Sequence, residues 1–205
     1  LGSDLNIFSY FSKFIVNPAK AAEEIADDNL GMRSGFWWVI LFGFGYSVTV
    51  FFGYMLGHSP TSPTLLAIPT EKWYLVQTFT TIPIALAGAL SYGGLAYILC
   101  KAIGGKGTFD ATFASQSYTL HIPCVVFMWI PETLLLPIYW SLDIHSIPWP
   151  GQIEIFRVFF VPFSWIYFMS IVALSKIHKI SWWKSLLVIP VSSIPTAMIM
   201  AVFIR

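Results

Sequence analysis

The stretch "GGKGTFDATFASQSYTLHIPCVV", residues 104–126, decides how the whole chain is read. A glycine-rich turn with one lysine opens it, and a segment carrying Ser, Gln, Tyr, Thr and His follows, in surroundings almost free of charge. A phosphate loop, an ion path and a turn between membrane helices are the competing readings. A phosphate-binding loop needs four residues between its first glycine and a Gly-Lys-Ser/Thr, a strand before it, and a helix whose N-terminal amides face the phosphates. Here Lys106 is followed by Gly107 and a long apolar segment precedes the turn, so nucleotide binding is set aside. Gly104, Gly105 and Gly107 instead end one helix and redirect the chain, and Thr108 is placed to cap the next.

The rest of the chain agrees with a membrane setting. Of its 205 residues 57% are hydrophobic and 10% charged, against about a quarter charged in an ordinary soluble domain. The expected fold is all-α: a polytopic integral membrane protein with a five-helix transmembrane bundle. The net charge is +1 and the eleven Lys and Arg are dispersed, which argues against a nucleic-acid partner. Cys100 and Cys124 lie in apolar segments and read as packing residues. Asp4, Asn6, Ser9, Ser12 and Lys13 interrupt any early apolar run, so no secretory signal is expected.

A span needs about 20 mostly apolar residues. Five are expected, over 36–56, 73–100, 110–130, 155–175 and 182–204. The second exceeds the bilayer thickness and must tilt or leave a turn in the interface. Pro123, Pro131 and Pro137 predict a kink or break in and after the third. Residues 131–142 read as an interfacial or re-entrant piece, with a sixth span as the competing count. Before the spans, residues 1–32 form an amphipathic interfacial segment. Phe8, Phe11 and Ile15, flanked by Ile7 and Phe14, recur at helical spacing opposite Asn6, Ser9 and Lys13, a face suited to lying on a membrane surface. A soluble-facing helix packed on loops is the alternative. A second short helix is expected to begin with Asn17 as cap and Pro18 at its first position. The transmembrane domain then covers 33–205.

Orientation follows from the cations. Lys13, Lys20, Arg33, Lys101, Lys106, Lys176, Lys179 and Lys184 fall on one side of a five-span arrangement, and Lys72, Arg157 and Arg205 on the other. The bias predicts a cytoplasmic N-terminus and an outside C-terminus; a sixth span would split it. Ala85, Ala89 and Gly93, and the pair Gly53 and Gly57, mark faces for close helix approach, inside the bundle or between copies.

Chemistry leaves a fainter trace. Asp110, Ser117, His121 and Cys124 follow one another at steps that a helix aligns on one polar face of the third span. Asp110 and Glu132 lie about 33 Å apart along such a helix, with His121 midway. An intramembrane His can relay protons, or it can be satisfied by Ser117 or by a carbonyl freed by Pro123 and simply join helices. His121 and Cys124 share a face, but no fourth metal ligand offers itself. His58, His145 and His178 fall in separate loops and no acidic pair joins a nucleophile. Neither an enzyme nor a cofactor is expected.

These pieces resemble the Yip-domain family, the Ypt-interacting membrane proteins, from about Ile7 onward. The residues that carry the resemblance are Gly104, Gly105, Lys106, Gly107 and Thr108, then Tyr118 and Pro123. They are similar to that family's Gly-Gly-x-Gly-Ser/Thr turn followed by an aromatic and a proline in the third helix. The resemblance implies five spans with a cytoplasmic N-terminus. Residues 28–38, "DNLGMRSGFWW", are similar to the place where eukaryotic members carry Asp-Leu-Tyr-Gly-Pro, but lack the Tyr and Pro. Small-GTPase binding and vesicle traffic are therefore not carried over, and the chain looks more like prokaryotic relatives. That implies the cytoplasmic membrane, or ER and Golgi for a eukaryotic member.

Two functions follow as expectations. One is a non-enzymatic scaffold or adaptor in membrane organisation or trafficking, with the lipid bilayer around it, a protein partner at its cytoplasmic face, or a second copy of itself. The other is a small permease or ion or proton channel with a polar path along the third helix. Lipid handling is a third, less specific reading.

Overall fold

The computed structural model describes residues 7–58, 66–131, 133–134 and 160–203. Two short helices, α1 (Ile7–Val16) and α2 (Pro18–Asp27), form an N-terminal hairpin. Asn17 caps α2, its side chain accepting from the Lys20 amide at 3.1 Å, and Pro18 fills the first turn where no amide partner is needed. Asp28 stops the helix in an extended conformation and its carboxylate receives the Leu30 amide at 2.8 Å. The chain then enters α3 (Gly31–Met55).

One 3₁₀ turn (Thr70–Lys72) leads into α4 (Trp73–Ala102), whose 30 residues extend about 45 Å. α5 (Phe109–Cys124) follows the glycine turn and continues into one wide π-type turn (Val125–Trp129) directly after Pro123. The break expected near that proline is thus a local widening. α6 (Val161–His178) ends at Lys179, which adopts the left-handed conformation with φ 54°, and α7 (Trp182–Phe203) carries Pro190 and Pro195.

Four of these helices, α3, α4, α6 and α7, are long and apolar enough to cross a membrane. α5 is shorter and more polar. α3 starts at Gly31, five residues before the expected Phe36, because Gly31 lets the α2–α3 corner close: a Cβ there would meet the Ile25 carbonyl at 2.6 Å. α6 runs to His178, past the expected Ser175, and its expected start at Ile155 lies outside the described residues, as does most of 131–142.

α4 packs along α3 on one side and α7 on the other, and α5 lies against α3, α4 and α6. Two glycines set how closely α5 is approached. A Cβ on Gly35 of α3 would stand 2.6 Å from the Ala114 Cα, and one on Gly93 of α4 would stand 3.0 Å from the Phe113 Cα. Backbone on backbone at such range admits no side chain. Ala85, Ala89 and Gly93 therefore face the inside of this bundle, while Gly57 serves the end of α3 with φ 76°.

Candidate functional site

α5 is the axis of the molecule. Every residue from Ala111 to Pro123 is buried, on all sides of the helix, so its polar residues do not form one face set against an apolar back. Asp110 is exposed on the first turn and Cys124 is half-buried. The Ser117 hydroxyl donates to the Phe113 carbonyl at 2.8 Å and is not spent on His121. His121 Nδ1 lies 2.8 Å from the Ser117 carbonyl, which only accepts, so Nδ1 carries the proton. The His121 ring packs on Phe42 with centroids 4.6 Å apart, and Nε2 has no hydrogen-bond partner among the described residues. The Cys124 thiol donates to the Leu120 carbonyl at 3.3 Å.

A second polar arrangement joins three helices and was not legible in the sequence. Tyr92 of α4 donates to the Ser170 hydroxyl of α6 at 3.0 Å, and Ser170 donates to Thr119 of α5 at 2.9 Å. Thr119 is within 3.3 Å of the Gln116 carbonyl. All four side chains are buried. The one sequence cue is that Tyr92 shares the helical stripe of Ala85, Ala89 and Ala96.

Tyr118 joins α5 to the N-terminal hairpin. Its ring is stacked between Phe14 (5.3 Å) and Trp38 (5.4 Å), and its hydroxyl pairs with Ser34 at 2.7 Å while donating to the Ile7 carbonyl at 3.3 Å. The expected membrane-facing set on α1 is corrected accordingly. Phe8 is 70% exposed, but Phe11 packs on Trp38 at 5.1 Å and Ile15 is half-buried, while Tyr10 and Phe14 point fully into the bundle. Tyr10 donates to Asp28 at 2.8 Å, and burial together with that carboxylate raises its phenol well above the ordinary value. An amphipathic period identifies an apolar face without saying whether lipid or protein covers it; here Tyr118 and Trp38 cover most of it.

The glycine turn docks on the end of α6. Gly104 has φ 90°, the Gly105 amide donates to the Cys100 carbonyl at 2.7 Å, and the Lys106 amide donates to the His178 carbonyl at 2.9 Å. These amides are spent on protein and do not converge on a phosphate. The Thr108 side chain caps α5, accepting from the Ala111 amide at 3.2 Å. The Thr112 hydroxyl donates to the Thr108 carbonyl at 2.6 Å, so at 2.8 Å His178 Nε2 must be its donor. A Cβ on Gly105 would stand 2.7 Å from His178 Nδ1, and one on Gly107 would stand 2.6 Å from the Ile177 side chain. His178, expected in a loop, is thus a fully buried helix end covered by the glycines.

Among the described residues no group of three or more His, Cys, Asp or Glu stands where it could hold a metal ion. The Yip1 domain, as a family model, matches residues 12–204. The chain belongs to the Yip1-domain family. No curated protein and no solved structure matched it. As a Yip1-domain protein with several helices able to span a bilayer, it is a multi-pass integral membrane protein. The family match takes in the second half of α1, the glycine turn and the α5 axis.

Proposed function

We propose that this Yip1-domain protein is a non-enzymatic membrane scaffold or adaptor. Its spans are α3 to α7, its N-terminus and glycine turn lie in the cytoplasm, and its C-terminus lies outside. The observation that carries this reading is the sealing of α5. Ser117, His121 and Thr119 meet protein at close range, which favours a rigid joint over a wet path. The charge bias supports the orientation: the eight cations of the expected cytoplasmic side include Lys106 and Lys184, whose turns touch each other in the structure. The surface open to a protein partner is the outer side of the hairpin, where Phe8 and Val16 are exposed at 70% and 83% and Ser12 is exposed on the same helix.

The test places a photo-crosslinking residue at position 8 or 16 of the full-length protein in its native membrane, and measures proton and cation flux in liposomes alongside. A scaffold gives a discrete protein adduct, lost when the neighbouring exposed residue is changed to Ser, and no flux. Flux that disappears in His121→Ala, with crosslinks to lipid alone, defeats the reading.

A further inference from the structure

The bundle end that carries the glycine turn holds two sets of lysines which the packing treats differently. On the hairpin side, Lys13 is bonded to Glu24, Lys20 lies 3.9 Å from Glu24, and Lys176 lies 2.9 Å from Glu23. On the other side stand Lys101 and Lys106, at the α4–α5 turn, with Lys179 and Lys184 at the α6–α7 turn. All four are exposed, and none forms an ion pair with a carboxylate among the described residues. The two turns are fastened together by the Lys106 amide on the His178 carbonyl (2.9 Å) and by the Lys184 ammonium on the Ile103 carbonyl (3.1 Å). Asp110 is the one acidic residue within 101–110 and 176–184. Beside them Trp182 and Trp183 open α7, stacked at 3.8 Å and exposed at 53% and 60%.

We propose that these two turns form a docking surface for the headgroups of anionic phospholipids in the leaflet where α4 and α6 end and α7 begins. Two features commit the surface to lipid. Four cations without a carboxylate stand against Asp110 and against Glu23, which Lys176 already occupies, so the surface is complementary to negative charge. A bare pair of indoles belongs at the headgroup level, where the ring is half in hydrocarbon and half in water. The proposal needs α4 and α6 to end, and α7 to begin, at a membrane surface and does not depend on an adaptor role, so either can fail without the other.

The full-length protein is purified and reconstituted in nanodiscs of phosphatidylcholine mixed with phosphatidylglycerol. The lipid retained after transfer to detergent is counted by native mass spectrometry. Lys101→Gln, Lys106→Gln and Lys179→Gln are combined in one variant. Lys13→Gln, Lys20→Gln and Lys176→Gln form a control with the same loss of charge. Lys184 is left in place because it bonds Ile103. Wild type and control are expected to retain phosphatidylglycerol over phosphatidylcholine by roughly tenfold, and the first variant to lose most of that preference. Equal loss in both variants, or in neither, overturns the proposal, as does competition by inorganic phosphate as effective as that by the lipid, or by an acidic soluble peptide. If the triple variant does not fold, Lys106→Gln alone, whose backbone contacts are untouched, must still lower the preference, and Lys106→Arg must keep it.

Discussion

α5 and α7 invert the rule that governs soluble proteins. α5 carries Asp110, Thr112, Ser115, Gln116, Ser117, Tyr118, Thr119 and His121 and is buried from Ala111 to Pro123. α7 is the most apolar of the four long helices and has the smallest buried share, with Leu187 73% and Met198 65% exposed. In water the apolar helix would be driven inside. In hydrocarbon no solvent exists to satisfy a hydroxyl or an amide, so the polar helix must find protein, and apolar side chains face lipid at no cost. The middle of this molecule is therefore held by hydrogen bonds and close small-residue contacts, and its outside by solvation.

That contrast can be broken by mutation, and the largest effect is expected where α5 meets the hairpin. Phe14→Ala removes a fully buried ring from the Tyr118 stack and should cost about 3–4 kcal/mol of thermal stability in detergent. Phe8→Ala, one face away on the same helix, should cost little; equal losses would mean that the hairpin is not docked as described. Next, Gly35→Ala forces a methyl against the Ala114 backbone and should cost about 2 kcal/mol. A double-mutant cycle of Tyr92→Phe with Ser170→Ala should return a coupling of about 0.6 kcal/mol, and zero would strike that hydrogen bond from the forces that hold the core.

The hairpin should also respond to alkali. Tyr10 is neutral in the folded protein and its phenol is raised above the ordinary value of 10.0. The stabilisation is complete below that value and is lost as pH climbs through the higher folded one. Thermal stability should therefore fall as pH rises above about 10, and Tyr10→Phe should flatten that dependence. Smallest of all, Leu187→Ala on the lipid face of α7 should change stability by less than about 0.5 kcal/mol. A loss like that of Phe14→Ala would show that α7 has a hidden partner.

The long helices are visible in the sequence because a run of about 20 apolar residues has few homes besides a bilayer. The Thr108 cap is visible because capping depends on residues three apart in the chain. What stays hidden lies between distant segments. Residues 31–35 carry little helix signal, since Gly31, Arg33 and Gly35 break the apolar pattern, yet Ile25, Tyr118 and Ala114 hold that turn from outside. His178 looks solvated between Lys176 and Lys179, but the backbone it meets is that of Lys106, in a turn far earlier in the chain. The buried face of α1 is rotated by one position from the one its apolar residues mark. Tyr10 carries a polar tip and so drops out of that pattern, though its ring is buried and only the hydroxyl needs Asp28.

The docking of the hairpin also imposes an order on assembly. Phe14 and Glu23 leave the ribosome long before Tyr118 and Lys176, the residues that receive them, have been synthesised. The Phe14 stack on Tyr118 and the Glu23 pair with Lys176 can therefore close only after α5 and α6 have been made, so the N-terminal hairpin, first out of the ribosome, reaches its final packing late.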